Sequence, residues 1–156
     1  MDSTSLNQLP TAYDYIRLGH PLSSILEWGI AKSNGLKAEN VISFSSNTTP
    51  ILAILRKNLL DNKNTQLVYT NKLPKFFDAD KIKAIYGYQF ELNQINNTAE
   101  IAAFDGSTVF ISEQADIYDF NLTANVDFYL NFNTALGSIL LVHNNEEYIS
   151  EIQHVR

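Results

Sequence analysis

The order of its patterned segments constrains this chain more than any other feature. Over the first two-thirds, short apolar runs alternate with stretches whose apolar residues recur at the spacing of a helix face. "NVISFS" precedes "TPILAILRKNLLDN", "TQLVYT" precedes "FDADKIKAIYG", and "YQFELNQI" then alternates as a strand. Strands interleaved with helices predict a mainly parallel sheet with helices on its faces. Further on the pattern changes, and "STVFIS", "NVDFYLNF" and "GSILLVH" follow one another with little between them. Parallel neighbours need a crossover connection, so one late strand, "GSILLVH", is expected to run antiparallel. The fold class is therefore α/β: a three-layer α/β/α sandwich, mostly parallel, with one antiparallel strand.

The helix ends carry their own signals. "HPLSSILEWGIAKSNG" sets Leu22, Ile25, Leu26, Gly29 and Ile30 on one face, with Pro21 at the start and Gly35 past the end. In the second helix Thr49 is placed as N-cap and Pro50 as the first helical residue. The third ends at Gly87, and "NEEYISEIQHVR" reads as a closing helix with acids first and Arg156 last, as the macrodipole prefers. Residues 1–11 form a polar lead-in and residues 12–156 a single α/β domain without internal repeats. The helical pattern is unbroken at Arg156, which suggests a fragment or a shortened chain.

Composition narrows the function. The 156 residues are 45% apolar and 18% charged, which is ordinary for a globular chain and excludes disorder. The net charge is −6 and no stretch concentrates Lys and Arg, so a nucleic-acid partner is not expected. With no cysteine there is no disulfide frame and no thiolate metal site. His20, His143 and His154 are scattered, and Asp116, Asp119 and Asp127 lack the ligand spacing of a calcium loop. His143 reads as a surface or cap residue. Lys72, Lys75, Lys81 and Lys83 read as a solvated face. The opening "MDSTSLNQLP" lacks the pattern of a signal peptide, and no apolar run is long enough for a membrane span. A cytoplasmic location is the expectation.

The stretch "SSNTT" lies between the first strand and the second helix. In open α/β sheets ligands sit beyond the carboxyl ends of the strands, where helix N-termini point. Backbone N–H groups and the hydroxyls of Ser45, Ser46, Thr48 and Thr49 suit phosphate oxygens there. The same residues are also the commonest helix caps, and taken alone the loop reads first as a cap. No Gly-x-Gly-x-x-Gly, Gly-Lys-Ser/Thr or Gly-x-Ser-x-Gly pattern occurs, so dinucleotide, P-loop and serine-hydrolase chemistry find no support.

A longer stretch changes the balance. From Tyr13 to Leu55 the sequence resembles, without a gap, the opening of the large domain in the Cys/Met-metabolism family of pyridoxal-phosphate enzymes, of fold type I. That family opens with Tyr-x-Arg-x-Gly-Asn-Pro-Thr. Here Tyr15, Arg17, Gly19 and Pro21 match in register, with His20 and Leu22 in place of the Asn and Thr. Leu26, Glu27, Ala31 and Gly35 also fall in place, and the family's Ser-Gly-Met-Ala-Ala corresponds to Ser46, Asn47, Thr48, Thr49 and Pro50. The resemblance implies a homodimer in which Tyr15 and Arg17 reach the phosphate of the neighbour's cofactor. Ser46, Asn47 and Thr48 would hold that phosphate from their own subunit. Arg suits the role because its planar fork meets phosphate oxygens in pairs. The alternative is that these positions now only shape the fold.

Further along the chain departs from the family. Leu73 and Pro74 stand near the position of the stacking tyrosine, although Phe76 and Phe77 follow closely. Ser112 stands where an Asp would meet the pyridine nitrogen, and Glu113 would point to the opposite face of the strand. Thr134 stands about where the cofactor-binding Lys would be, and no lysine follows Lys83. The family's C-terminal small domain is absent. The expectation is a reduced, pyridoxal-phosphate transferase-like domain without its covalent lysine, acting as a non-catalytic binding or accessory homodimer. Two alternatives stand beside it: a fragment of, or an unusual, pyridoxal-phosphate enzyme of sulfur amino-acid metabolism, and a protein binding a phosphate-bearing small molecule.

Overall fold

The computed structural model describes residues 21–133 and 137–155. Tyr15, Arg17, Gly19, His20, Thr134 and Arg156 lie outside the described residues. Helix α1 (Pro21–Ser33) leads through a short 3-10 turn into strand β1 (Val41–Phe44). Helix α2 (Thr49–Leu60), strand β2 (Thr65–Tyr69), helix α3 (Ala79–Tyr86) and strand β3 (Glu91–Gln94) follow in alternation. Strands β4 (Ser107–Ser112), β5 (Phe128–Asn133) and β6 (Gly137–Val142) then precede helix α4 (Ile149–His154).

All six strands form one sheet in the order β1-β6-β5-β4-β2-β3. β6 runs antiparallel to both its neighbours, and the other pairs are parallel. The reversed strand is the one its short connection requires. Because β4, β5 and β6 are covered on both faces, they read as nearly unbroken apolar runs. Val109, Ile111, Phe128, Leu130, Phe132, Leu140 and Val142 face a core shared with α2 and with Tyr148, Ile149 and Ile152 at the chain's end. Phe110, Tyr129 and Leu141 face the other way, onto Ile30 and Ala31 of α1 and onto Ile101, Phe120 and Val126 from irregular segments. The three layers expected from the sequence are present. Among the described residues no helix is long and apolar enough to cross a membrane.

Both sheet edges are guarded. β3 is four residues long and mostly exposed, with Glu91, Asn93 and Gln94 on its surface, so it offers little to an incoming strand. β1 is screened by α1 instead. The Glu27 carboxylate, buried in the helix, accepts from the Ser43 backbone N–H at 2.8 Å and from its hydroxyl at 2.7 Å. An edge donor is thereby satisfied without a seventh strand.

At the other end of the sheet, Tyr148 donates to Asn58 Oδ1 at 2.8 Å, and Asn58 Nδ2 donates to Thr65 Oγ1 at 2.8 Å. This chain ties the turn before α4 to α2 and β2. Burial pushes the Tyr148 hydroxyl up from 10.0 to about 12, helped by the charges of Asp61 and Glu147.

Two outcomes follow. Glu27→Ala should lower the unfolding free energy in urea by about 2 kcal/mol, the scale of hydrogen bonds to a charged acceptor; an unchanged midpoint contradicts the edge role. For Tyr148, the folded state holds a proton that the unfolded chain releases near its ordinary value. The resulting stability is fully present below pH 10.0 and is lost as pH rises to about 12. The decline should be shallower in Tyr148→Phe; parallel wild-type and variant curves contradict it.

Candidate functional site

The carboxyl ends of β1, β2, β4 and β5, together with the start of β6, share one edge of the sheet. Ligands of open α/β sheets gather at such an edge. Two features meet there: the loop from Ser45 to Thr48, and a polar cleft nearer the β3 side.

The loop is pinned from beneath by β6. Ser138 Oγ donates to the Ser46 carbonyl at 2.6 Å. Beside it, Gly137 has φ +101°, and a Cβ placed on it would overlap the Phe44 carbonyl oxygen. The reversed strand therefore starts in direct contact with the β1 terminus. The capping arrangement differs from the expectation at Thr49, which is the first residue of α2; the N-cap is Thr48, and its side chain makes no capping bond. The acceptor is Ser46 instead, whose Oγ takes the N–H groups of both Thr48 and Thr49 at 3.2 Å. The reason is geometric: Thr48 already has helical dihedrals, which carry its hydroxyl away from the N-terminus. Ser46 Oγ also lies 3.3 Å from Thr48 Oγ1. The two N–H groups that an anion would need are thus occupied by a hydroxyl of the same loop. Asn47 is half-buried with a buried Oδ1 that has no partner.

The cleft, of about 340 Å³, lies between the ends of β2 and β4. Thr70, Asn71 and Lys72 form one wall, Ser112, Glu113 and Gln114 another, with Phe110, Phe120 and Asn121 behind and Thr98 at the side. Three strand spacings separate β1 from β4, so about 14 Å lies between the loop's strand and the cleft's. Lys72, read from sequence as part of a solvated face, is exposed and also lines this cleft. Of its companions, Lys81 pairs with Asp78 at 3.1 Å and Lys83 lies over the Phe90 ring. Asp78 caps α3; the Lys81 backbone N–H and ammonium hold its carboxyl below the usual range.

Sequence reasoning missed Asn131, which organises the end of β4. It is 2% exposed, and its Oδ1 accepts from Ser112 Oγ at 3.0 Å and from the Gln114 N–H at 2.9 Å. Its Nδ2 returns a bond to the Gln114 carbonyl at 3.1 Å. The available signal was an amide inside the apolar run "DFYLNF", since a buried polar side chain must find partners. Ser112 therefore spends its hydroxyl within the sheet. Neither aromatic candidate covers the cleft: Phe77 is buried in the α2-side core, and Phe76 packs edge-on against Phe132 at 5.0 Å. His143 holds the Val126 carbonyl at 3.1 Å and sits edge-on to Tyr129, in keeping with a structural reading. Among the described residues no group of His, Asp and Glu is arranged to hold a metal. Of the expected site residues, Ser46, Asn47 and Thr48 come together in one loop.

No family model and no curated protein sequence matches the chain. Solved structures do match it. MetB from Corynebacterium glutamicum is 16% identical with a TM-score of 0.52, over 98% of this chain and 50% of that one. A putative L-allo-threonine aldolase from Listeria monocytogenes EGD-E is 14% identical with a TM-score of 0.52, over 96% and 56%. An aminotransferase, TlmJ from Streptoalloteichus hindustanus, is 14% identical with a TM-score of 0.48, over 86% and 48%. The chain spans about half the length of these neighbours. The chain shares its fold with MetB and with the putative aldolase, over about half of each.

The Asn131 network makes a direct prediction. Asn131→Leu removes the acceptor of both Ser112 and Gln114 and should cost about 2–3 kcal/mol of stability, with faster amide exchange at Gln114. Wild-type exchange at Gln114 in that variant contradicts the network.

Proposed function

We propose that this chain is a pyridoxal-phosphate transferase-like domain that has given up covalent cofactor chemistry and binds a phosphate-bearing small molecule as a non-catalytic accessory homodimer. The observation that carries the first half is the replacement at β4 and β5. Where the resemblance calls for an Asp to keep a pyridine ring protonated, Ser112 is bonded to Asn131, a neutral partner. No lysine lies between Lys83 and the end of the sequence, so β5 and β6 offer no amine to an aldehyde. These residues do not fit pyridoxal phosphate held as that family holds it.

The second half rests on the loop. A hydroxyl can accept or donate, so Ser46 can turn from its own backbone toward a phosphate oxygen and free the N–H groups of Thr48 and Thr49. Both would then point at the anion from the N-terminus of a twelve-residue helix. Arg17 and Tyr15 of a second copy would complete the cradle. Asn47 contributes no charge, and its carbonyl oxygen turned inward leaves only its amide for a ligand.

The second reading, a piece of a working pyridoxal-phosphate enzyme of sulfur amino-acid metabolism, draws on the fold shared with metB and on the half-length span.

Inorganic phosphate and pyridoxal phosphate, titrated separately against the melting temperature, test the loop. Both should raise it in the wild type, and Arg17→Ala should weaken the phosphate response about tenfold, the scale of one bidentate charge pair. No rise with either anion contradicts the cradle. A shifted visible band that survives desalting after pyridoxal phosphate is added overturns the non-catalytic reading in favour of the second. In size-exclusion chromatography the protein should elute as a dimer; a monomer removes the roles of Tyr15 and Arg17 across subunits.

A further inference from the structure

Asn34 alone among the chain's asparagines is followed by glycine. Its carboxamide makes four hydrogen bonds. Nδ2 donates to the Ile30 carbonyl at 2.9 Å, to Ser33 Oγ at 3.3 Å and to the Tyr118 carbonyl at 3.2 Å. Oδ1 accepts from the Phe120 N–H at 3.0 Å. One side chain therefore fastens the C-terminus of α1 to the segment whose Phe120 and Asn121 line the polar cleft. Phe120 itself is 3% exposed and packs edge-on to Tyr129.

The backbone at this point is a helix stop of the Schellman type. Leu36 N–H returns to Ala31 O at 2.8 Å and Gly35 N–H to Lys32 O at 3.4 Å, with Gly35 at φ +68°. While that stop is formed, the Gly35 nitrogen is turned toward Lys32. When the last turn frays, the same nitrogen is free to swing toward the Asn34 side chain, and glycine has no Cβ to obstruct it.

We propose that Asn34 is a spontaneous modification site whose conversion releases the cleft-lining segment from α1. The Gly35 nitrogen bonds to Asn34 Cγ, the Cγ–Nδ2 bond breaks, and ammonia leaves with the proton that Gly35 gives up. Water then opens the cyclic imide, leaving an aspartate or isoaspartate at position 34, and no oxidant or reductant is needed. The donor that held the Ile30 and Tyr118 carbonyls is replaced by a carboxylate oxygen that repels both. The new charge also sits at the negative end of α1's dipole. The clamp protects the site while the helix end is folded, so conversion reports how often that end opens. The proposal stands whether or not the cleft takes a ligand.

The test ages the whole protein at mildly alkaline pH and maps its peptides by mass spectrometry, next to an Asn34→Asp variant made directly. Asn34 should convert before any other asparagine. An aspartate keeps an oxygen for the Phe120 N–H, but repulsion from the Ile30 and Tyr118 carbonyls drives the carboxylate off. In both the aged fraction and the variant the Phe120 amide should therefore exchange about tenfold faster, the scale of one lost hydrogen bond, with β4 amides unchanged. If the variant does not fold, the aged fraction, separated by anion exchange, gives the same readout. Conversion of other asparagines first, or wild-type exchange at Phe120 in the converted protein, overturns the proposal.

Discussion

The contact between the first residues of β6 and the end of β1 is the constraint on which the rest of the ligand edge depends. Gly137 leaves no room for a side chain against the Phe44 carbonyl, and Ser138 fixes the Ser46 carbonyl one step on. A parallel strand could not do this, because its start would lie at the opposite edge of the sheet. Reversal of β6 places a strand beginning beside the strand endings. The loop from Ser45 to Thr48 is thereby held against β6 on one side and leads into α2 on the other. Its free carbonyl is satisfied from below, which leaves its N–H groups facing upward to Ser46 Oγ.

A second consequence concerns how the sheet stays finite. Parallel strands buried on both faces build a strong centre, but they leave two edges that invite further pairing. Here the edges are closed in different ways: β3 by brevity and polarity, β1 by the Glu27 carboxylate lowered from α1 onto Ser43. Glu27 falls within the stretch that resembles the pyridoxal-phosphate enzymes, and its role in this chain is to guard the fold. The same division runs through the molecule. Glu27 holds layers together, while Ser112, bonded to Asn131, sets the surroundings of the cleft. A fold fixes where a ligand edge lies, and the side chains placed there decide what chemistry it supports.

Much of the architecture was legible because it rests on patterns longer than one residue. The alternation up to "YQFELNQI" gave the parallel sheet, and the short connection before "GSILLVH" forced the reversal. Details set by single dihedrals were not legible. Thr49 and Thr48 are both good caps, and only the helical backbone of Thr48 transfers the acceptor role to Ser46. "YQFELNQI" yields only Glu91–Gln94 as strand, because one side of it has no neighbour. "NEEYISEIQHVR" begins with a 3-10 turn after Asn145 at φ +64°, so its α-helix is Ile149–His154. Asn131 escaped notice for a different reason: its partners Ser112 and Gln114 lie on and beyond another strand, and spacing along one chain does not encode them.

The central claim, that the fold is retained without a covalent anchor for the cofactor, can be met head-on by reductive trapping. The protein is incubated with pyridoxal phosphate, reduced with borohydride and mapped by peptide mass spectrometry, which marks any lysine joined to the aldehyde. The proposed loss of the anchor predicts scattered, partial labelling of exposed lysines. Complete labelling of one lysine in the folded protein contradicts it.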